Sequence, residues 1–268
     1  MTEYSPQALT PARPRRTGTI RTIIALLLRE MSTTYGRSAL GYLWAILEPV
    51  GGIALMSIIF SYALRAPPIG TDFALFFASG MVPFVAYMDA SNKIAVALRF
   101  SRSLLFYPGV TYVDALLARF IMSVMTQVMI AAVVFYGIIF FFSVDVILDI
   151  PAMALGFAMA FSLGLGIGTL NCYLLSVYPI WERSWAILNR PMFLVSCIFF
   201  LFDAVPQPYR DYLWWNPLIH IVGMVRKGMY ATYDATYVSP FYVFLISLVC
   251  FAAGLLLLRR YHKDIVNN

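Results

Sequence analysis

Long apolar runs, separated by short polar and basic segments, dominate the hydropathy pattern of this chain. A helix needs about 20 apolar residues to cross the hydrocarbon core of a bilayer, and several runs approach or exceed that length. Helices are expected because lipid offers no water to unpaired backbone groups. The pattern therefore predicts an all-α polytopic membrane protein. Its six predicted transmembrane helices lie at 44–64, 73–98, 114–142, 151–178, 188–202 and 241–258.

Three further segments are too polar or too interrupted to be simple spans. Residues 17–34 are predicted to form an amphipathic helix in the inner interface. Its apolar stripe consists of Ile20, Ile23, Ile24, Leu27 and Met31, with Arg21, Arg29 and Glu30 off the stripe. Residues 99–119 form a long cytoplasmic connection, in which a short helix stops at Pro108-Gly109. Residues 203–239 contain several prolines and an apolar stripe, which predicts half-helices dipping into the outer leaflet.

The composition supports a membrane protein, since 61% of residues are hydrophobic and only 12% are charged. Soluble domains are about 25% charged. With both termini placed in the cytoplasm, most Lys and Arg residues fall on the cytoplasmic side, as the positive-inside rule requires. The net charge of +6 is therefore mostly explained by topology, although an added role in attracting an anionic substrate stays open. We expect a flexible basic tail at 1–16, followed by a single transmembrane domain at 17–268.

Sequence motifs for enzyme chemistry are missing from the chain. It contains no G-x-x-x-x-G-K-[ST], so we expect no ATP bound through a P-loop, and neither G-x-S-x-G nor H-E-x-x-H occurs. Gly164 and Gly168 in the stretch GLGIG lie inside an apolar span with no preceding strand, which favours a helix-packing face over a dinucleotide site. We interpret the three cysteines as packing residues and expect no metal site, because their spacing matches no ligand set.

Charged residues inside spans each need a partner, because an isolated charge in the membrane is costly. Asp89 and Lys93 are four residues apart on one helix face, so a structural ion pair is the favoured interpretation. Glu48 has no cation at helical spacing and precedes Pro49, which kinks helices. It either reaches Arg37 or a basic group of a neighbour, or lines a path or gate.

All five tryptophans lie near predicted membrane interfaces, where an aromatic belt is the ordinary explanation. These residues are Trp44, Trp181, Trp185, Trp214 and Trp215. The alternative is that some of them face a translocation path and stack on sugar rings, because aromatic faces bind without requiring one hydrogen-bond pattern.

Three stretches carry a resemblance to a known family. They are YGRSALGYLWAILEP at 35–49, SRSLLFYPGVTYVDALLAR at 101–119 and WWNPLIHIVGMVRKGMY at 214–230. In this order and spacing they resemble the ABC-2-type permeases, specifically the branch that exports capsular polysaccharide. The resemblance extends over nearly the whole chain, from about 16 to 264.

The resemblance implies a homodimer with two copies of a separate ABC ATPase subunit docked underneath. ATP and Mg would be bound by that ATPase, and no cofactor by this chain. The cytoplasmic connection would contain a coupling helix seated in the ATPase. Its residues would be Arg99, Arg102, Ser103, Leu104, Leu105 and Phe106.

The same resemblance assigns roles to the aromatic and charged residues. Candidates for the translocation path or gate are Tyr42, Trp44, Glu48, Trp181 and Trp185. A re-entrant outer segment at 206–230 would cap the path and include Trp214, Trp215, Asn216 and Arg226. Relatives often carry an acidic residue where this chain has Gly223. Arg226 is therefore expected to pair with Asp203, Asp211, Asp234 or the substrate.

The implied function is a permease subunit in the bacterial inner membrane that exports a lipid-linked, acidic polysaccharide. Its implied partners include membrane lipids and a periplasmic co-polymerase or adaptor, and no nucleic acid. An O-antigen or teichoic-acid exporter of the same superfamily is the nearest alternative. An ion-coupled secondary transporter would require matched broken helices in both halves, and a membrane-embedded enzyme would require a catalytic constellation.

Overall fold

A computed structural model describes residues 18–34, 40–105, 110–144 and 146–267 of the chain. These ranges are mostly helical and contain no strand. The longer helices are α1 (Gly18–Thr34), α2 (Leu40–Ala63), α3 (Phe73–Ala95), α6 (Tyr112–Phe142), α7 (Ile150–Val177), α8 (Pro179–Val195), α10 (Pro217–Met229) and α11 (Pro240–Asn267). The shorter ones are α4 (Ala97–Phe100), α5 (Arg102–Leu105), the 3-10 turn Phe202–Ala204 and α9 (Tyr209–Trp214). The predicted tail at 1–16 and the turn at Pro108-Gly109 lie outside the described residues.

Among the described residues, five helices are long and apolar enough to cross a membrane, namely α2, α3, α6, α7 and α11. Each begins close to the start of a span predicted from the hydropathy pattern. Helix α6 has 31 residues and starts at a capping box, in which Thr111 and Asp114 satisfy each other's backbone N–H groups. Helix α11 continues past its predicted end at 258 and reaches Asn267.

The fifth predicted span, 188–202, does not form one helix. Helix α8 already begins at Pro179 and ends at Val195, and the chain turns at Ser196 and Cys197. Cys197 has a φ of 58°, in the left-handed region that terminates helices. The apolar run therefore contains a helix end, which hydropathy alone does not reveal.

Helix α7 is the centre of the fold and packs against α3, α10 and α11. Glycines permit the close approach on two of its sides. A Cβ at Gly168 would lie 2.8 Å from the carbonyl oxygen of Ser91 in α3, and a Cβ at Gly166 would collide with the backbone of Ser247 in α11. Gly164 also faces α3, where a Cβ would lie 2.8 Å from the Cβ of Ala90, so Gly164 and Gly168 form the helix-packing face predicted for GLGIG.

Helix α1 packs against the N-terminal part of α6, where Arg119 lies. Leu26 and Glu30 are the most buried residues of α1. Ile24 and Met31 of the apolar stripe are 50% and 41% exposed, which agrees with a stripe that faces the membrane interface. Glu30 lies off this stripe, as predicted, and is buried against α6 through its pair with Arg119.

Candidate functional site

The predicted coupling segment consists of two single-turn helices, α4 and α5, separated by Ser101. Arg99 forms an ion pair with Glu182 of α8, with 3.0 Å between Nη1 and Oε2, and also donates to the carbonyl of Leu175. Arg102 is exposed. Leu104 and Leu105 are half-buried, and Leu105 packs against the adjoining hydrophobic cluster. The segment is thus attached to the C-terminal end of α7 and the N-terminal end of α8. Phe106 and the side chain of Ser103 lie outside the described part.

A buried charged cluster lies directly beside this segment and joins α1, α3 and α6. Arg119 Nε of α6 is 3.4 Å from Glu30 Oε1 of α1, and both side chains are less than a tenth exposed. Arg119 also donates to the carbonyl of Lys93 at 3.0 Å, and its guanidinium stacks 4.0 Å from the ring of Phe100 in α4. Burial raises the pKa of the Glu30 carboxyl above its ordinary value, although Arg119 opposes this shift.

Asp89 and Lys93 extend the cluster along α3. Their side chains are 2.9 Å apart, so the four-residue spacing forms an ion pair. Ser123 of α6 donates to the same oxygen as Lys93, with its hydroxyl 2.6 Å from Asp89 Oδ2. The charges in this part of the chain therefore have partners on three helices, which lowers the cost of burying them.

The candidate path residues fall into two separate groups. Trp181 and Trp185 of α8 stack with their ring centroids 6.2 Å apart, and Trp181 donates to Asn171 at 2.9 Å. Trp44 of α2 is 70% exposed. Glu48 is exposed and lines a separate cavity between α2, α3 and α6. The side chain of Tyr42 and all of Arg37, the proposed partner of Glu48, lie outside the described residues.

A cavity of about 520 Å³ opens between α3, α7 and α8. Its wall combines the indole of Trp185 with polar and charged side chains. These include Asn92, Glu182, Asn189 and Arg190, above an apolar floor of Phe84, Met88 and Phe193. The buried Nε1–H of Trp185 has no hydrogen-bond partner in the described part of the chain. An aromatic face beside hydrogen-bonding groups and a cation suits a sugar ring that carries a negative charge.

The outer segment forms α9 and α10, which meet at Trp215 and Asn216. Asn216 caps α10, because its side-chain oxygen accepts from the N–H of Leu218 at 3.0 Å. Trp214 donates to the carbonyl of Tyr237 at 3.1 Å and packs edge-on against His220, whereas Trp215 is 66% exposed. Trp214 and Asn216 therefore have structural contacts, and only Trp215 presents its ring to the surroundings.

Arg226 is 1% exposed and does not bind any of the three acidic residues proposed from the sequence. Its guanidinium donates to three backbone carbonyls that follow the end of α8, at 2.6, 2.8 and 3.0 Å, and lies over the ring of Phe76. The expectation failed because unpaired carbonyls at a helix end are strong acceptors for a cation. The carbonyls belong to Cys197, Ile198 and Phe200.

Sequence reasoning missed several polar residues that the fold brings together. Glu30 and Glu182 were not singled out as partners, although each pairs with an arginine far away in the chain. Arg119 was counted only as a topological charge. One signal in the sequence could have identified Arg119, which lies within a predicted apolar span. A charged side chain in such a span is costly unless it has a partner, so a partner for Arg119 was to be expected.

Comparison with known proteins identifies the family of the chain. The model of the ABC-2 type transporter family matches residues 21–230. Polysialic acid transport protein KpsM of Escherichia coli is 30% identical over 240 residues, which cover 89% of this chain and 92% of the relative. The capsule polysaccharide export inner-membrane proteins CtrC of Neisseria meningitidis serogroup A and BexB of Haemophilus influenzae are 26% and 24% identical, each over 91% of this chain and 92% of the relative. Since the family model covers most of the sequence, from within α1 to the end of α10, the chain belongs to the ABC-2 type transporter family.

Proposed function

We propose that this protein is the permease subunit of an ATP-driven exporter that moves a lipid-linked, acidic capsular polysaccharide across the bacterial inner membrane. The observation that carries the proposal is similarity along nearly the whole chain to inner-membrane proteins named for capsule polysaccharide export. The five apolar helices of the described residues fit a subunit embedded in that membrane. Both termini lie in the cytoplasm in this proposal, in agreement with the distribution of Lys and Arg.

The energy source in this proposal is a separate ABC ATPase subunit, present in two copies under a dimer of this chain. ATP and Mg bind to the ATPase, and this chain binds neither. The coupling segment formed by α4 and α5 is the docking element. Its attachment to α8 through Arg99 and Glu182 supports this role, because a push on the segment reaches the helix that carries Trp181 and Trp185. A periplasmic adaptor completes the export route.

The cavity beside α8 is the proposed entry to the path. A polymer of sugars needs many weak contacts rather than one tight site, so that successive residues can slide past. Trp185 offers a ring face, Asn92 and Asn189 offer hydrogen bonds, and Arg190 offers a positive charge to an acidic sugar. Steering by a cation in a cavity of low dielectric raises the local concentration of an anionic substrate.

The first experiment is purification of the protein, tagged at its native locus, with mass spectrometry of the proteins that accompany it. We expect two copies of this chain with two copies of a P-loop ATPase. A chain that is recovered repeatedly without an ATPase, in several mild detergents, would contradict the proposal.

The second experiment tests the path by measuring surface capsule in a strain that carries variants of this gene. Arg190→Glu should lower export of an acidic polymer severalfold, because it reverses the charge in the cavity. Arg183→Glu is the matched control, since Arg183 lies on the same helix but does not line the cavity. Equal export by the two variants would show that the cavity is not part of the translocation path.

A further inference from the structure

A second cavity of about 320 Å³, called the polar cavity here for its four oxygen-bearing side chains, lies between α2, α3 and α6. Phe84 and Met88 of α3 separate it from the cavity beside α8, since they line both. The oxygen-bearing side chains of the polar cavity are those of Glu48, Asp89, Thr126 and Gln127. Gln127 is 4% exposed, and its Oε1 atom has no hydrogen-bond partner within the described residues. An unpaired amide oxygen buried at this depth costs free energy, which a ligand with an N–H or O–H donor would recover.

The charge of this cavity specifies the ligand further. Asp89 is neutralised by Lys93, whose Nζ lies 2.9 Å away. Glu48 then supplies a negative charge at the opening, on the α2 side. An ionised carboxylate and the oxygen of a side-chain amide both accept hydrogen bonds. A cavity lined by such oxygens therefore fits a small cationic group with several donors. A primary ammonium, with three N–H donors and one positive charge, meets this description.

An apolar groove continues from the polar cavity along the same pair of helices. On α2 the polar cavity is lined by Glu48 and Pro49, and the groove begins at Val50. On α6 the polar cavity ends at Ile130, and the groove runs from Val133 to Phe142. The groove has a volume of about 630 Å³, and its lining is mostly apolar. The two spaces are thus arranged end to end, with the acceptors at one end.

The length of this arrangement fits one hydrocarbon chain. Along α2 the groove runs from Val50 to Ser61, a rise of about 16 Å at 1.5 Å per residue. One leaflet of hydrocarbon is about 15 Å thick, so the groove has room for a full acyl chain. Several groove residues are open to the membrane, including Ile58 at 57% and Phe141 at 81% exposure. A lipid can therefore enter from the side.

We propose that the α2/α6 groove binds one membrane lipid whose headgroup carries a primary ammonium, an aminophospholipid. The ammonium donates to Glu48, to the remaining lone pairs of Asp89 and to Gln127 Oε1. One acyl chain lies between α2 and α6. Helix α2 has few contacts with the described part of the chain other than those to α3 and α6. A lipid bound between α2 and α6 therefore helps to hold α2 in position.

The test uses full-length protein in nanodiscs and native mass spectrometry, which counts lipids that remain bound. One set of discs contains a phosphatidylethanolamine, and the other contains a phosphatidylcholine with identical acyl chains, which lacks N–H donors. We expect one ethanolamine lipid per chain to be retained, with occupancy about tenfold higher than for the choline lipid. Gln127→Leu should reduce that preference, because it removes an acceptor.

A matched pair of glycine variants tests the groove itself. Gly137 lines the groove, and a Cβ there meets no protein atom, so Gly137→Leu fills the acyl-chain space without displacing the protein. Gly51 of α2 is equally open but does not line the groove, so Gly51→Leu is the control. We expect retention to fall about tenfold in Gly137→Leu and to persist in Gly51→Leu.

Two outcomes overturn the proposal. Equal retention of the two headgroups shows that the acceptors do not select an ammonium. Equal retention in the two leucine variants shows that the lipid lies elsewhere. If Gly137→Leu fails to fold, the comparison of headgroups with the unaltered protein still decides the matter.

Discussion

Replacement of Arg226 tests how the outer helices are held on the bundle. Arg226→Met keeps an unbranched side chain but removes the guanidinium and with it all three hydrogen bonds to the carbonyls that follow α8. Each buried acceptor left without a donor costs about 1–3 kcal/mol. Removing a buried cation recovers part of this cost, which places the net loss near the lower end, at about 3 kcal/mol. Arg226→Lys keeps the charge but not the fork of donors, so we expect about 1–2 kcal/mol.

The assay is thermal unfolding of purified protein in one mild detergent, followed by intrinsic tryptophan fluorescence. On the scale of soluble domains of similar size, a loss of 3 kcal/mol lowers Tm by roughly 6–12 °C. The control is Lys227→Ala in the next position of α10, which breaks an exposed ion pair with Asp234 and should cost at most about 1 kcal/mol. A Tm for Arg226→Met that matches the control would refute the reasoning, since the carbonyl contacts would then contribute nothing measurable.

Three further variants probe the contacts between helices. Gly168→Leu should prevent stable folding, seen as loss of a monodisperse peak in size-exclusion chromatography, because even a Cβ there overlaps the backbone of α3; a well-folded variant would contradict the close packing. Charge reversal at either Glu30 or Arg119 places like charges together, and reversing both should recover about 1–3 kcal/mol in a double-mutant cycle, so simple additivity would refute their coupling. Because burial raises the folded-state pKa of Glu30, the stability that this carboxyl contributes is complete below its ordinary pKa near 4.5 and declines as pH rises through the raised value; Glu30→Gln should therefore flatten the pH dependence of Tm. Arg99→Glu should reduce capsule export with a stability change within about 1 kcal/mol, and Glu182→Arg in the same chain should restore export; failure of that rescue would mean that the ion pair does not transmit motion.

Hydropathy was sufficient to predict five of the helices because each apolar run must satisfy its own backbone within lipid. The same signal misplaced the segment 188–202, where the apolar run continues although the helix stops. The stop is stabilised by Arg226, which is almost thirty residues further along the chain. No local pattern contains that contact, since it exists only after α10 has packed against the turn that follows α8.

Candidate-site residues were predictable to the extent that their partners are local. Asp89 and Lys93 are one helical turn apart, so their pairing could be predicted from spacing alone. Arg99 with Glu182 and Glu30 with Arg119 join residues more than eighty positions apart, and the sequence offers only the general demand that buried charges have partners. Gln127 drew no attention because one amide in a long apolar helix is not unusual until its oxygen is found without a donor.

Helix α6, with 31 residues, is about 46 Å long, whereas the hydrocarbon core of a bilayer is about 30 Å thick. The excess must project beyond the hydrocarbon core or be accommodated by tilt. Arg119 lies in the N-terminal part of α6 and pairs with Glu30 of α1, so any change in the tilt of α6 moves α1 with it. The thickness of the surrounding bilayer thereby influences the position of α1. We expect α1 to take different positions in thin and in thick membranes.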